Sequence, residues 1–401
     1  MLKQNLNVPG PSELPLEVLQ ALGKQMVATR GDEDFTQIIQ EVIAFAKELF
    51  NTSNEILLFT ASGTGGMESA IVNTLSPGDH ALICVNGEYG SRFAIIAENY
   101  GINAEKIEFT RGYPIDVARV QKRLKMDKQK KIKAVLATHN ETSTGVLNDL
   151  SELGKVVYNH GSLFIVDAIS SIGSTEFFSE KWGVDVAIAA SQKGLMAPPG
   201  LSLVSVSPKA WEAVRLSKIP KYYWDYRIAR GLVGRMEGLP LGQLPGIPIT
   251  PSIPLIFALH KSMELMKKEG LKNVYKRHRQ ISKALRSGIE AMELKLMVDE
   301  KYASPTVSVV LLPDSLDGNN VRKVLKDKFN IIVAKHKLSG NGIRIGHLGY
   351  MDLKDILLVI MGIEGILLEK GYTSDSNLGK GFAAAYNAYF EKAKVKVNIR
   401  K

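Results

Sequence analysis

Short apolar runs alternate with amphipathic stretches between about residues 50 and 215, and this alternation constrains the fold more than any other feature. Runs without polar residues predict strands buried on both faces, and the amphipathic stretches predict helices. The result is an α/β fold in which a mostly parallel sheet lies between helix layers, with ligands at the carboxyl ends of the strands. The predicted strands are residues 56–59, 81–85, 134–137, 163–166, 186–190 and 201–206. The predicted helices are residues 66–75, 91–100, 117–125 and 150–160.

The rest of the chain predicts a smaller α+β lobe after an irregular stretch. Residues 219–254 carry several prolines and glycines and an aromatic cluster at residues 222–226. We expect an extended, ordered loop there, in a position that suits a subunit interface. The later pattern predicts helices at 255–268, 271–292, 319–329, 353–369 and 379–394, and strands at 307–312, 331–334 and 343–345.

Four parts follow from this pattern. We expect an N-terminal segment near the functional site (1–15) and a large domain (16–254). A small C-terminal domain (255–370) and a basic, partly helical tail (371–401) complete the chain.

Composition narrows the class of protein. The chain has 401 residues, 45% of them hydrophobic and 23% charged, as in an ordinary soluble globular protein. No apolar run reaches the ~20 residues that span a bilayer, and the start lacks the apolar core of a secretory signal. Cys84 is the only cysteine, which excludes an internal disulfide. We therefore expect a cytoplasmic protein without a membrane partner.

The net charge of +10 is partly local to the tail, where six Lys and Arg face two acids from Gly371 onward. A basic tail can attract nucleic acid or an acidic surface. We favour a solvated helix with a charged face, because no nucleic-acid motif accompanies the charge. The basic balance also suits anionic substrates and a phosphorylated cofactor.

Lys193 is the most informative single residue. It follows an apolar strand directly and sits in a turn of small residues, 191–200. A free lysine is protonated near neutral pH and is a poor nucleophile, whereas a lysine bound to an aldehyde cofactor can later move the α-proton of a substrate. Most lysines are structural or lie at the surface. A structural or surface lysine would not need to stand between a buried strand and a turn of small residues, so we favour a functional role for Lys193.

Asp167 ends another apolar strand, residues 162–167. A carboxylate against a pyridine nitrogen keeps that nitrogen protonated, so that the ring can accept electrons. A strand-end aspartate that caps the next turn is an equally common alternative. The pairing of Asp167 with Lys193 indicates that the cofactor is pyridoxal 5'-phosphate (PLP). We expect no metal site.

Three weaker signals accompany this pair. A glycine-rich turn at residues 61–66 opens a predicted helix and favours a phosphate, although a plain strand-to-helix turn would look the same. Tyr89, in a loop after a strand, could stack on a flat ring or simply pack. Arg344 alternates with apolar neighbours on a predicted strand, where it could bind a carboxylate in a bidentate manner or form a structural ion pair.

Together these segments resemble the class V aminotransferases, a branch of the fold-type-I PLP enzymes. Residues 184–193 with 200–202 match the family's cofactor-attachment signature, and the resemblance runs from residues 8–12 to 343–346. Within the family the chain looks most like the alanine/serine–glyoxylate (serine–pyruvate) aminotransferases. The resemblance implies a three-layer large domain around a mostly parallel sheet and a small α+β C-terminal domain.

The resemblance also implies roles for the residues around the cofactor. Lys193 would bind the cofactor aldehyde covalently, and Asp167 would contact the ring nitrogen. The remaining cofactor-binding residues would be Ser62, Gly63, Thr64 and Gln192 at the phosphate, Tyr89 and Ile169 on the two ring faces, and Thr142 at the ring hydroxyl.

Further implied contacts involve the substrate and a second subunit. Gly10 and Arg344 would receive the substrate carboxylate. Thr250 would reach the phosphate of the neighbouring subunit, because the family's active sites are shared across a homodimer. Relatives of the animal branch also carry a tyrosine three positions before Thr250, where this chain has Ile247, and residues 29–35 follow the family pattern only loosely.

These observations predict a transaminase that moves the amino group of serine or alanine to glyoxylate or pyruvate, through the pyridoxamine form of the cofactor. Arg344 is one carboxylate clamp without a clear second, which favours small monocarboxylates. A PLP lyase or cysteine desulfurase is the first alternative, although Cys84 lies inside an apolar strand. A non-catalytic PLP-fold protein that binds nucleic acid through its basic tail is the second.

Overall fold

The computed structural model describes residues 4–25, 33–233, 250–336 and 341–390. Two sheets organise this part of the chain, and a two-stranded ribbon accompanies them. The larger sheet has seven strands and the smaller has five. The α/β class and the mostly parallel sheet predicted from the sequence are confirmed.

The seven-stranded sheet has the order β2-β10-β9-β8-β5-β3-β4. Only β10 runs against its neighbours, pairing antiparallel with both β9 and β2, so the other strands share one direction. Its strands are β2 Glu55–Thr60, β3 His80–Val85, β4 Asn103–Glu108, β5 Ile132–Thr138, β8 Leu163–Asp167, β9 Val186–Ala190 and β10 Leu201–Val206. The ribbon consists of β6 Asn140–Glu141 and β7 Val146–Leu147.

Both faces of this sheet are buried, as the apolar runs predict. In β8, Phe164 and Val166 belong to one hydrophobic core, and Leu163 and Ile165 to the core on the opposite face. All six predicted strands are present. The edge strand β4 was not predicted, because four of its six residues are polar and none of the six is fully buried.

Nine helices accompany this sheet in the described ranges. They are α1 Leu16–Leu22, α2 Glu33–Phe50, α3 Gly63–Thr74, α4 Glu88–Asn99, α5 Val117–Met126, α6 Ser151–His160, α7 Pro208–Leu216, α8 Tyr226–Val233 and α9 Ile253–Glu269. Two predicted starts were too late. α3 begins at Gly63 and α4 at Glu88, so residues predicted as turns form the first turns of these helices.

Residues 219–254 need a correction, because this stretch is not an extended loop throughout. It contains helix α8, and Tyr226 at the start of that helix is fully buried. Phe59 of β2 packs on Tyr226 and on Trp224, with ring centroids 5.8 and 5.6 Å apart. Much of the aromatic cluster therefore anchors the chain to its own sheet. Residues 234–249, with Ile247, lie outside the described part.

The five-stranded sheet has the order β1-β13-β14-β12-β11. Its strands are β1 Asn5–Asn7, β11 Lys295–Leu296, β12 Val307–Leu311, β13 Ile331–Lys335 and β14 Gly342–Gly346. Its helices are α10 Leu271–Ala291, α11 Gly318–Phe329, α12 Leu353–Glu369 and α13 Lys380–Phe390. β1 was not predicted: it pairs parallel with β13 and ties the N-terminus to this sheet.

The cores suggest where the two lobes divide. Ile256 and Leu259 of α9 belong to a core of the large sheet, and so does Val274 near the start of α10. Ile281 and Leu285, further along α10, belong to the core of the small sheet. We therefore propose that the boundary falls within α10, later than residue 254. Among the described helices, none is long and apolar enough to cross a membrane.

Candidate active site

The two residues of most interest follow neighbouring parallel strands. β8 and β9 are parallel, with Asp167 opposite Ile188, so the carboxyl ends of both strands lie on the same side of the sheet. Asp167 is the last residue of β8, and Lys193 comes shortly after the end of β9. A turn closes this region, because Ser191 N–H donates to Leu201 O (3.0 Å) and Ser191 Oγ donates to Pro198 O (2.5 Å). The fold thus places a carboxylate and a lysine at the carboxyl ends of two neighbouring strands.

Lys193 is half-buried and faces the N-terminal segment. Its Nζ donates a hydrogen bond to the carbonyl of Pro9. Gly10 has a φ of +115°, and a Cβ there would lie 2.6 Å from Lys193 Cδ, so only glycine fits beside this side chain. Burial lowers the pKa of Lys193 to about 8, although the charge of Asp167 acts to raise it. A lysine in this state is neutral much more often than a surface lysine.

Asp167 is buried, and its Oδ1 accepts a hydrogen bond from Ile169 N–H (2.9 Å). Burial raises the pKa of this carboxyl to about 7, and the bond from Ile169 opposes the shift. The nearby Glu141 carboxyl raises the pKa further, while Lys193 lowers it. A buried carboxyl of this kind is stabilised in its charged form by a cationic partner, such as a protonated ring nitrogen.

Helix α3 opens beside this pair. Ser62 is its N-cap, yet the Ser62 side chain makes no capping hydrogen bond. The first N–H groups of a helix lack intrahelical acceptors and favour an anion. Gly63 packs so closely that a Cβ would lie 2.6 Å from Ile169 Cδ1. Thr64 follows in the same turn. In the turn after β9, the buried side-chain oxygen of Gln192 has no hydrogen-bond partner in the described structure.

Tyr89 lies in the first turn of α4, and a buried acid supports that turn. The Tyr89 and Gly90 N–H groups donate to Glu141 Oε2 at 3.1 and 3.2 Å. Burial raises the pKa of Glu141, and the hydrogen bonds it accepts, first from Ser143, oppose the shift. The sequence alone gave no role to Glu141. Its signal was an acid within a run of buried polar residues after an apolar strand.

Arg344 is a buried arginine on β14. Its Nε donates to Lys335 O (2.9 Å) and its Nη1 to Thr142 O (3.1 Å), so it joins the small sheet to the loop that carries Thr142. In the described ranges it forms no ion pair with a carboxylate, whereas the comparably buried Arg286 is held by Glu300 at 2.8 and 3.0 Å. A buried cation bonded only to carbonyls is well suited to an anionic ligand.

Sequence analysis assigned no role to Arg92, which the fold brings to the same region. Arg92 lies on α4, one turn after Tyr89, with its guanidinium 4.8 Å from the centroid of the Tyr89 ring. Its Nη1 donates to Thr64 Oγ1 at 3.2 Å. A helical arginine next to an aromatic gave no signal by itself, because only the packing of α3 against α4 brings Arg92 to Thr64.

Thr250 lies apart from these contacts. It is exposed, and two residues later Ser252 N–H donates to Thr60 Oγ1 (3.3 Å). Its contact with a neighbouring subunit stays a prediction. A cleft of about 240 Å³ lies elsewhere, lined by residues that include Glu13, Met196 and Arg277, and it is not the site formed around Lys193.

This fold and its lysine–carboxylate pair define a fold-type-I PLP-dependent enzyme. Comparison with known proteins narrows the class. The family description "aminotransferase class-V" matches residues 5–341, and the chain belongs to that family. Its cofactor is pyridoxal phosphate. The uncapped Ser62, the unpartnered Gln192 oxygen and the close packing at Gly10 and Gly63 are consistent with a site for it.

The relatives span nearly the whole chain but differ in their names. A "soluble hydrogenase, small subunit" from a Synechococcus species is 40% identical, covering 96% of this chain and 97% of the relative. The serine–glyoxylate aminotransferase of Arabidopsis thaliana is 34% identical, covering 96% and 94%. The solved ureidoglycine–glyoxylate aminotransferase of Bacillus subtilis has a TM-score of 0.89 and 30% identity, covering 97% and 98%.

Proposed function

We propose that this aminotransferase moves the amino group of a small amino acid, serine or alanine, to glyoxylate or pyruvate. Two relatives support glyoxylate as acceptor, since one is named for serine and glyoxylate and the other for ureidoglycine and glyoxylate. Because these two relatives are named for different amino donors, the donor of this chain has to be inferred from its own residues. Arg344, buried without an acid partner in the described structure, is the observation that carries the proposal.

Arg344 suits one carboxylate. In the described structure its two hydrogen bonds go to backbone carbonyls, so those bonds do not compensate its positive charge. A substrate carboxylate would compensate the charge and would be oriented by the planar guanidinium. Gly10 brings the N-terminal backbone directly against Lys193, because a Cβ there would overlap the lysine side chain. We propose that these two residues bind the carboxylate common to serine, alanine, glyoxylate and pyruvate.

When bound, PLP supplies an electron-accepting ring that makes the α-proton of an amino acid removable. The protein would provide the proton transfers and the orientation. We propose that Lys193 Nζ holds the cofactor aldehyde, and that it moves the α-proton once displaced by substrate. The depressed pKa of about 8 supports this role, because a neutral amine can accept a proton. Asp167 would keep the ring nitrogen protonated.

Other residues would hold the ring and the phosphate. Ser62, Gly63 and Thr64 would bind the phosphate at the start of α3, with Gln192 beside them. The ring would lie between Tyr89 and Ile169, with its hydroxyl toward Thr142. We further propose a cytoplasmic homodimer in which Thr250 contacts the partner's phosphate; its exposure is compatible with that role.

A lyase of the desulfurase type is less well supported. Such chemistry uses a reactive thiol, and Cys84, the chain's only cysteine, is fully buried in β3. Burial raises the pKa of this thiol to about 12, so it stays protonated and unreactive.

The half-reaction with single amino acids tests the proposal. Serine or alanine added to the purified, PLP-loaded protein should convert the absorbance of the bound aldehyde form to that of the amine form. Glyoxylate or pyruvate should then reverse it. Ammonia and a keto acid formed from serine without the amine form would point to the lyase. Aspartate and ureidoglycine serve as comparison donors, and a strong preference for either would contradict the donor assignment.

A further inference from the structure

The proposed phosphate site lacks a charged side chain. Ser62, Gly63, Thr64 and Gln192 are all neutral, and so is Thr250. The start of α3 contributes N–H groups and a partial positive charge, but a phosphate near pH 7 carries close to two negative charges. Phosphate sites commonly add an arginine or lysine to such a helix start. Arg92 is a candidate for this cation.

Arg92 reaches this site from a neighbouring helix. Its Nη1 donates to Thr64 Oγ1 at 3.2 Å, within the first turn of α3. The same guanidinium lies 4.8 Å from the centroid of the Tyr89 ring. One side chain therefore touches both a proposed phosphate-binding residue and the proposed ring-stacking residue. A hydroxyl that accepts a bond from Arg92 has its own proton left to donate to a phosphate oxygen.

Within the described ranges, Arg92 has one acidic partner that competes for it, and this partner holds it weakly. Its Nη2 lies 3.4 Å from Glu88 Oε1, one turn earlier on the same helix. The two side chains are 33% and 26% exposed, and exposed pairs at this spacing contribute little. By contrast, Arg123 is bound to Glu105 through two contacts of 2.6 and 2.7 Å. Arg92 thus keeps much of its hydrogen-bonding capacity for a second anion.

The charge of Arg92 also acts on Asp167 and Lys193. It lowers the pKa of Asp167 and the pKa of Lys193, as a cation near both groups must. The guanidinium therefore lies close enough to both groups to act on their charges.

We propose that Arg92 is a cofactor-binding residue that supplies positive charge to the PLP phosphate and positions Thr64 beside that phosphate. This inference rests on the proposed function, because that proposal places the phosphate at the start of α3. It adds a charged residue to a site whose other proposed members are neutral. It also predicts that one substitution changes recognition of the phosphate without changing attachment of the aldehyde.

Comparing PLP with pyridoxal tests this role, because pyridoxal has the same ring and aldehyde but no phosphate. The full-length chain is freed of cofactor, and the affinity for each compound is followed by the absorbance of the Lys193 adduct. In Arg92→Gln the affinity for PLP should fall about 10- to 100-fold, the cost of losing a charge-assisted hydrogen bond. The affinity for pyridoxal should stay unchanged.

Two variants control the result. Arg123→Gln removes the same charge from a side chain of similar exposure, 31% against 33%, and should leave both affinities unchanged. Arg92→Lys keeps the charge but loses the fork, and should recover part of the preference for PLP. Equal losses for PLP and pyridoxal in Arg92→Gln, or no loss for either, would overturn the inference. If the wild type prefers PLP through Arg92 but fails the half-reaction, only the proposed function is wrong.

Discussion

The two halves of the candidate site differ in how they are built. The proposed cofactor half comes from the large sheet: Asp167 ends β8, Lys193 comes shortly after β9, and helices α3 and α4 begin beside them. The proposed substrate half comes from the small sheet and the N-terminus, which provide Arg344 on β14 and Gly10 after β1. Arg344 Nη1 bonds to Thr142 O and so connects the two halves.

The two halves are suited to different tasks, the first to proton transfer and the second to recognition of the substrate. The proposed cofactor half holds two ionisable groups, the half-buried Lys193 and the buried Asp167, whose pKa values move toward neutrality, to about 8 and about 7. Such groups are suited to proton transfer and to charge stabilisation. The substrate half holds a cation with carbonyl partners, which suits recognition of an anion. Substitutions in the two halves should therefore give different kinetic signatures.

Replacement of Lys193 should have the largest effect. Lys193→Ala removes the group that we propose moves the α-proton, so kcat should fall by about 10²- to 10⁴-fold. Stopped-flow absorbance of the half-reaction with serine measures this step. Lys106→Ala, a change in an exposed ion pair on β4, is the control and should keep the normal rate. Near-normal rates in Lys193→Ala would contradict the role of the cofactor half.

Loss of the Asp167 charge should have the next largest effect. Asp167→Asn keeps the size of the side chain but cannot stabilise a protonated ring nitrogen, so kcat should fall by about 10- to 100-fold. The KM for serine should change little, because Arg344 is untouched. A raised KM with a normal kcat would place Asp167 in the substrate half instead. Steady-state kinetics with serine and glyoxylate distinguish these outcomes.

Arg344→Lys should show the opposite signature. A lysine keeps the charge but not the planar fork, so the KM values for serine and glyoxylate should rise by about tenfold. PLP binding should be retained, as checked by absorbance of the loaded protein. Arg286→Lys is a matched control, because Arg286 is comparably buried but is held by Glu300. If PLP binding is lost and KM is unchanged, the division into two halves fails.

The smallest expected effect is a shift with pH. Only the neutral amine of Lys193 attacks the aldehyde, so the rate of PLP uptake by the cofactor-free chain should rise with pH through a midpoint near 8. The Asp167 charge raises the pKa of Lys193, so Asp167→Asn should move this midpoint to lower pH. A midpoint above that of the wild type would show that the two groups are not coupled as the structure indicates.

The sequence predicts the strands of the large sheet well, because their signals are local. An apolar strand that ends in a lysine or an aspartate is visible in the chain, and all six predicted strands of the large sheet are present. The starts of α3 and α4 were missed because glycine has a low helix propensity and hides the first turn. The edge strand β4 lacks the apolar run that marks the central strands.

The substrate half and the supporting residues depend on distant contacts. β1 pairs with β13, more than 300 residues later in the chain, and no local pattern announces this. The bond from Arg92 to Thr64 and the bonds from Tyr89 and Gly90 to Glu141 likewise join separate elements. Burial and charge at these residues become meaningful only once the packing of the helices is known.

Trapping of the cofactor tests the central claim most directly. Borohydride reduction of the PLP-loaded protein should fix the cofactor to one lysine, and peptide mass mapping should identify that residue. We expect labelling of Lys193 in the wild type, and unreduced, dissociable cofactor in Lys193→Ala. Labelling of any other lysine in the wild-type protein would contradict the account.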